Sequence, residues 1–278
     1  MWSRNKANLY IRDALDDFHY DPKALPSPIA QRKIYRNKLM LTHLVGFGGG
    51  GVALNPERSY LMDGSDWLNI GDHADVELGA GDFCVEAWVR PTSVEYGGFI
   101  LYAKWSGEQR AYNFYWAPYN NKMAMTWTTT GANATSAERA SDATVVSNDT
   151  WSHLEWDRSG DTLYFFHDGV ERGTGDMTGV TVFQGTAGLQ LGNQGSGSGI
   201  IGNVDEWRIS DTARHTAGFT PASVEHTSDA NTMVLVHCHE TIASGTTGSG
   251  ATFVESGNTG HTVTENGNAI RDNTIFKF

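Results

Sequence analysis

The sequence predicts an all-β protein: a two-sheet antiparallel sandwich with an extended N-terminal arm and a β-rich C-terminal extension. Three observations predict it. Short apolar runs with period-two alternation recur from about residue 52 to 210, as in "DFCVEAWVRP" (82–91) and "YNFYW" (112–116). Glycine is abundant (32) and proline scarce (7), which suits strands joined by tight turns. Phe (12), Tyr (10) and Trp (9) are plentiful, and aromatic side chains pack well on a pleated surface.

Residues 1–51 read differently from the rest. "ANLYIRDALDDFHY" (7–20) fits a short helix, and "DPKALPSPIA" (21–30) carries three prolines, which exclude regular pairing. Arg32, Lys33, Arg36 and Lys38 then stand together with no acid among them. An arm of this composition makes too few contacts to fold alone. We expect it to anchor the protein on an acidic surface of a neighbouring subunit.

Residues 52–225 form the sandwich. In "DFCVEAWVRP", Phe83, Val85, Ala87 and Val89 alternate with Cys84, Glu86, Trp88 and Arg90. In "TWSHLEWDRSGDTLYFFHDGVE" (150–171), Leu154 and Trp156 share one face, so Glu155 and Asp157 fall on the other, expected to be solvated. Asp168-Gly169 predicts a type I′ hairpin. "VTVF" (180–183), "GLQLG" (188–192) and "GNVDEWRIS" (202–210) read as further strands. Residues 226–278 add the strand "TMVLVHCHE" (232–240), a Gly/Ser/Thr-rich stretch and an Asn266-Gly267 hairpin signal.

Charge and cysteine content narrow the function. The chain has 20 basic against 32 acidic side chains, a net charge of −12 that disfavours nucleic acid as a partner of the main body. Cys84 and Cys238, distant and each in an apolar run, are expected to be buried free thiols. No stretch approaches the ~18 apolar residues of a membrane helix. "MWSRNKANLY" lacks the apolar core of a signal peptide, so assembly in a cytoplasm is expected.

Five motifs carry a family resemblance. "YLMDGSDWLNIGDHADVELGAGDFCVEAWVRP" (60–91), "WSHLEWDRSGDTLYFFHDG" (151–169), "LQLGNQ" (189–194), "IGNVDEWRISDTARHTAGFTP" (201–221) and "DANTMVLVHCHE" (229–240) resemble, in this order, the concanavalin A-like, laminin-G-like domains found in tailed-bacteriophage virion proteins. The resemblance implies a jelly-roll sandwich and a place on a virion surface. It implies no single activity, because this fold hosts lectins, enzymes, adhesins and structural modules.

Asp205 is the principal candidate structural residue. Period two in "GNVDEWRIS" sets it on one face with Trp207 and Ile209, and an unpaired carboxylate there is costly. Backbone N–H groups of an adjacent loop satisfy it, or it holds Ca²⁺ with Asp63 or Asp72, or it is displaced and exposed. No other cofactor is expected. His237 and His239 share a face and could hold a metal, but are read as packed or hydrogen-bonded side chains. Glycosidase chemistry needs a pair of placed carboxylates. "LEWDRSG" (154–160) offers Glu155 and Asp157 without a third acid, and no Ser-His-Asp or phosphate-loop pattern appears.

The protein is therefore expected to be non-enzymatic: a capsid decoration protein, homo-oligomeric in the particle and bound to other virion proteins. The alternative is a tail or fibre adhesin for a host-surface glycan, with Tyr112, Tyr115, Trp116 and Tyr119 as ligand or interface aromatics.

Overall fold

The period-two apolar runs fold as strands, and their apolar faces meet between two sheets. The computed structural model describes residues 59–93, 99–117, 119–144, 146–193, 199–238, 252–253, 255–258, 260–267, 269–272 and 274–278. All of them belong to the compact unit Leu54–Phe278. The arm, with Arg32, Lys33, Arg36 and Lys38, lies outside the described residues, as does His239.

In chain order the strands are β1 (Ser59–Asp63), β2 (Trp67–Gly71), β3 (Phe83–Pro91), β4 (Phe99–Lys104), β5 (Tyr112–Ala117), β6 (Lys122–Trp127), β7 (Ala137–Ala140), β8 (Ser152–Ser159), β9 (Thr162–His167), β10 (Val170–Asp176), β11 (Leu189–Leu191), β12 (Ile201–Ser210), β13 (Thr232–Val236), β14 (Thr252–Phe253), β15 (Val263–Asn266) and β16 (Ile270–Asp272). The first sheet runs β10-β9-β8-β3-β12-β1-β16, with β13 also paired to β12. The second runs β14-β15-β2-β11-β4-β5-β6-β7. All the pairings are antiparallel. This is the two-sheet sandwich that the alternation predicts.

Phe83, Val85, Leu154, Trp156, Phe165, Val204, Trp207 and Ile209 from the first sheet interlock with Leu68, Tyr102, Tyr112, Phe114, Met125 and Trp127 from the second. Phe114 is the hub, with its ring edge-on to Phe83, Tyr102 and Trp156 at centroid distances of 5.7, 6.4 and 5.8 Å. Such contacts add roughly 0.5–1.5 kcal/mol each beyond area burial. Both cysteines are buried free thiols, as expected.

The described residues of 226–278 are part of the sandwich itself. β13 pairs with β12, β15 with β2 and β16 with β1, so this segment extends both sheets. The Asn266-Gly267 signal does not close a hairpin: β15 lies in the second sheet and β16 in the first, and the dipeptide turns the chain between them. "VTVF" is not a strand. Val182 and Phe183 donate single hydrogen bonds to Gly79 O and Thr128 O instead of entering a ladder. Asp168-Gly169 does form the predicted turn, with φ of 51° and 72°.

The register of β12 overturns one expectation. Asp205 pairs with Trp88 and the next pair is Arg208 with Glu86, so Glu206 and Trp207 together face Ala87. This β-bulge, with Glu206 at φ 54°, shifts the alternation by one. Val204, Trp207 and Ile209 enter the core, while Asp205 turns outward with Arg208. Asp205 therefore does not share a face with Trp207 and Ile209. Gly202, four residues before the bulge, has φ 142°, and a Cβ there would meet Arg90 O at 2.4 Å.

Trp207→Ala should lower unfolding stability by about 3–5 kcal/mol in a urea titration, because it empties a large buried site. The exposed Tyr119→Ala should change it by no more than about 0.5 kcal/mol.

Candidate functional site

Charged side chains from three strands converge on the outer face of the first sheet. The bulge sets Arg208 opposite Glu86, and the β3–β8 register sets Glu86 opposite Glu155 and Cys84 opposite Asp157. Over them runs an irregular strap, residues 211–226. Its backbone is tied down at several points. Arg214 N–H donates to Asp157 Oδ1 (2.7 Å), Phe219 N–H to Gly169 O (2.9 Å) and His226 N–H to Glu206 Oε2 (2.7 Å). The His215 ring meets Glu155 Oε1 at 2.6 Å through Nδ1 and stacks on Phe219 with 3.5 Å between centroids. Gly169 permits the crossing, since a Cβ there would fall on the Phe219 carbonyl.

The strap reverses the expectation for Glu155 and Asp157. Both are fully buried, not solvated. Glu86 is buried too: its Oε1 accepts from Arg208 Nε (2.6 Å) and its Oε2 from His153 Nε2 (2.9 Å), with His226 Nε2 at 3.3 Å. Burial alone would push the Glu86 carboxyl up, but the bonds to His153 and His226 and the Arg208 charge hold it well below the usual range. Glu155 goes the other way, raised by burial and by the charges of Glu86 and Asp157. Asp157 is raised as well, mainly by burial.

Asp205 sits beside this cluster and is nearly fully buried. It accepts from Glu206 N–H at 3.0 Å and Lys277 N–H at 3.4 Å, so a C-terminal segment reaches it. Lys277 Nζ lies 3.8 Å from the Trp88 ring centroid, and Phe278 meets the same ring edge-on. Asp63 and Asp72 are engaged elsewhere. Asp63 Oδ1 accepts from Ser65 N–H and Oγ, and Asp72 Oδ1 takes the buried Lys104 ammonium at 2.6 Å. Groups of three His, Cys, Asp or Glu with ligand spacing occur among the described residues, and none includes Asp63, Asp72 or Asp205.

The outer face of the second sheet is of another kind. Continuous register pairs Thr264 with Asn69, Asn69 with Gln190, Gln190 with Ala103, Ala103 with Asn113, Asn113 with Thr126 and Thr126 with Glu138. A row of amides and hydroxyls, ending on the Glu138 carboxylate, thus crosses seven strands and is interrupted by one alanine. Thr264, Asn69, Gln190 and Thr126 are half-buried, Ala103 and Asn113 are buried, and Glu138 is exposed. Tyr115 stands beside the row, its hydroxyl donating to Glu138 Oε2 and lying 3.4 Å from Thr126 Oγ1. Tyr119, at the adjoining turn, is 76% exposed.

Of the four aromatics singled out in the sequence, Tyr112 and Trp116 are not ligand residues. Both are buried in the core, where Tyr112 Oη donates to Val76 O (2.8 Å) and Trp116 Nε1 to Thr144 O (3.2 Å). Their parity in "YNFYW" is that of Phe114. No local pattern in the sequence marks the polar row, because its members are scattered along the chain and meet only through strand pairing.

A family model described as the Concanavalin A-like lectin/glucanases superfamily, of laminin-G type, matches residues 62–217. The chain belongs to this family. Among solved structures, a Bacteroides ovatus protein assigned as carbohydrate-binding shares the laminin-G-like fold, with TM-score 0.56 at 11% identity over 79% of this chain and 60% of that one. The chain thus spans only 60% of the length of that protein. Two further matches have lower TM-scores. Domain 4 of an extracellular arabinanase from Geobacillus stearothermophilus, in complex with arabinotriose, gives 0.44 at 16% identity over 61% of this chain and 79% of that one. A Ruminococcus gnavus sialidase carbohydrate-binding module bound to α2,3 sialyllactose gives 0.43 at 13% identity over 58% and 92%. No curated protein matches the chain.

In this laminin-G-like sandwich, burial and then the Glu206 charge raise Asp205 from 3.8 to about 9. Between those values the folded chain keeps a proton that the unfolded chain releases. The stabilisation is therefore complete below about pH 4 and is lost as pH rises toward 9, by at most about 1.4 kcal/mol per pH unit. Asp205→Asn should remove this share of the slope. Its urea midpoint should fall less than that of the native protein between about pH 5 and pH 8, and parallel profiles would show Asp205 ionised in the fold.

Proposed function

We propose that the chain is a non-enzymatic, glycan-recognising surface protein of a bacteriophage virion. The observation that carries the recognition half is the row whose accessible members are Thr264, Asn69, Gln190, Thr126 and Glu138, with Tyr115 and Tyr119 beside it. Amide and hydroxyl side chains both donate and accept, which matches the hydroxyls of a sugar, and a tyrosine ring offers an apolar face with a polar edge. The carbohydrate-binding assignment of the Bacteroides ovatus protein, which shares the fold, supports this reading.

The non-enzymatic half rests on the opposite sheet. A glycosidase needs two carboxylates in contact with the scissile bond. Glu86, Glu155 and Asp157, the acids with the closest mutual placement on the first sheet, are buried beneath the strap and bonded to Arg208, His215 and the Arg214 N–H.

The virion setting rests on the order of sequence motifs and on residues 1–51, whose prolines and basic cluster suit an extended anchor on other virion proteins. Capsid decoration is the setting we favour, with assembly in the host cytoplasm and several copies per particle; a tail or fibre adhesin is the alternative. Full-length protein on a glycan array should bind a bacterial surface polysaccharide saturably. Tyr119→Ala or Gln190→Ala should weaken that binding roughly tenfold, the effect of losing about 1.4 kcal/mol. Particles assembled with a chain lacking residues 1–50 should lack the protein, although the truncated chain still folds. Normal incorporation of that truncation would exclude the anchor.

A further inference from the structure

We propose that His73, Asp75 and His261 form a binding site for a first-row transition-metal ion such as Zn²⁺, at the edge of the second sheet. The three residues come from two segments brought together by strand pairing. Thr264 of β15 pairs with Asn69 of β2 in antiparallel register. Continued three residues, that register sets His261 opposite Asp72, one residue from His73. The exit of β2 and the entry of β15 therefore run side by side.

Each segment is fixed by its own hydrogen bonds. His73 precedes the 3₁₀ turn Ala74–Val76, which places Asp75 on the same turn. The His73 ring is oriented by a 3.2 Å contact between Nε2 and Ile70 O. With the proton on Nε2, Nδ1 keeps the lone pair a metal requires, and a carbonyl behind a ligating imidazole is the usual supporting contact. On the other side, Glu255 gathers the turn: its Oε1 accepts from Leu235 N–H (2.7 Å) and its Oε2 from His261 N–H (3.0 Å).

One ligand atom from each residue lies within 4.8 Å of the other two. His261 Nε2 is 2.9 Å from Asp75 Oδ2, and the two imidazole centroids are 4.3 Å apart. Ligands about 2.0–2.1 Å from a tetrahedral ion stand ~3.3 Å from one another, so small side-chain rotations close the site. Asp75 Oδ1 is buried and lacks a hydrogen-bond partner, a cost that a cation would relieve. His261 is buried but His73 is exposed, which leaves solvent access for entry and for the remaining ligands. Two imidazoles and one carboxylate select borderline metals such as Zn²⁺, Co²⁺ or Ni²⁺ over Ca²⁺, which prefers oxygen.

The clusters under the strap make weaker sites. Glu86 already takes Arg208, and Asp157 already accepts an amide. The ion at His73 would instead pin the 255–261 turn to the β2 exit and so hold the C-terminal strands in the second sheet.

Isothermal titration of the full chain with Zn²⁺ should show about one saturable equivalent, and Co²⁺ should give a visible absorption band. Thermal unfolding should move upward with Zn²⁺ and not with Ca²⁺. His73→Ala, a substitution at an exposed position that leaves the fold intact, should weaken Zn²⁺ binding by at least about 100-fold, since even supporting partners of ligands typically cost 10–100-fold. Asp75→Asn should do the same, and Glu155→Gln should leave the affinity unchanged. Absence of saturable binding overturns the proposal. So does binding that survives His73→Ala, or binding that is lost only in Glu155→Gln.

Discussion

The pairing of Glu86 with Arg208 across a single β-bulge is the constraint on which the rest of the first sheet depends. One extra residue in β12 puts Trp207 into the core and leaves Arg208 opposite Glu86. Tyr102 reaches through the core from the second sheet, its hydroxyl within hydrogen-bond reach of the carbonyls of both Glu86 and Arg208. The bulge is thus held from the core side by a phenol and from the outer side by an ion pair. Separating either charge from its partner would leave the other buried and uncompensated, which typically costs about 3–5 kcal/mol.

The two outer faces follow from this division. The first sheet carries buried carboxyl groups that must be covered and bonded, and the strap does both, presenting backbone N–H groups and histidines to Asp157, Glu206, Glu155 and Glu86. The second sheet carries neutral amides and hydroxyls, which tolerate partial exposure and can exchange water for ligand at little cost. On the reading proposed above, recognition falls to the second sheet and internal stability to the first.

The sequence made the strands legible because their alternation is local: the apolar parity of "DFCVEAWVRP" and "YNFYW" survives intact in β3 and β5. The Asp168-Gly169 turn was legible for the same reason. A bulge leaves no mark on a period-two pattern, so alternation alone puts Asp205 on the core face; the shifted β12–β3 register and the positive φ of Glu206 reveal it. Glu155 and Asp157 looked solvated because parity says which face a side chain takes, not what later covers that face. Asn266-Gly267 looked like a hairpin because a turn signal fixes the bend of the chain and not the sheet that the next strand joins.

The sequence by itself determined the all-β class, the strand parity of most of the core, the buried state of both thiols and the family. These follow from short-range patterning, which each segment carries within its own residues. Only the tertiary structure decided that the acids of β3 and β8 lie beneath a strap, that six polar residues from six strands line up across one sheet, and that His73 and Asp75 meet His261. Those groupings join residues up to nearly two hundred positions apart, and backbone hydrogen bonds between strands, set by register, are what bring them together.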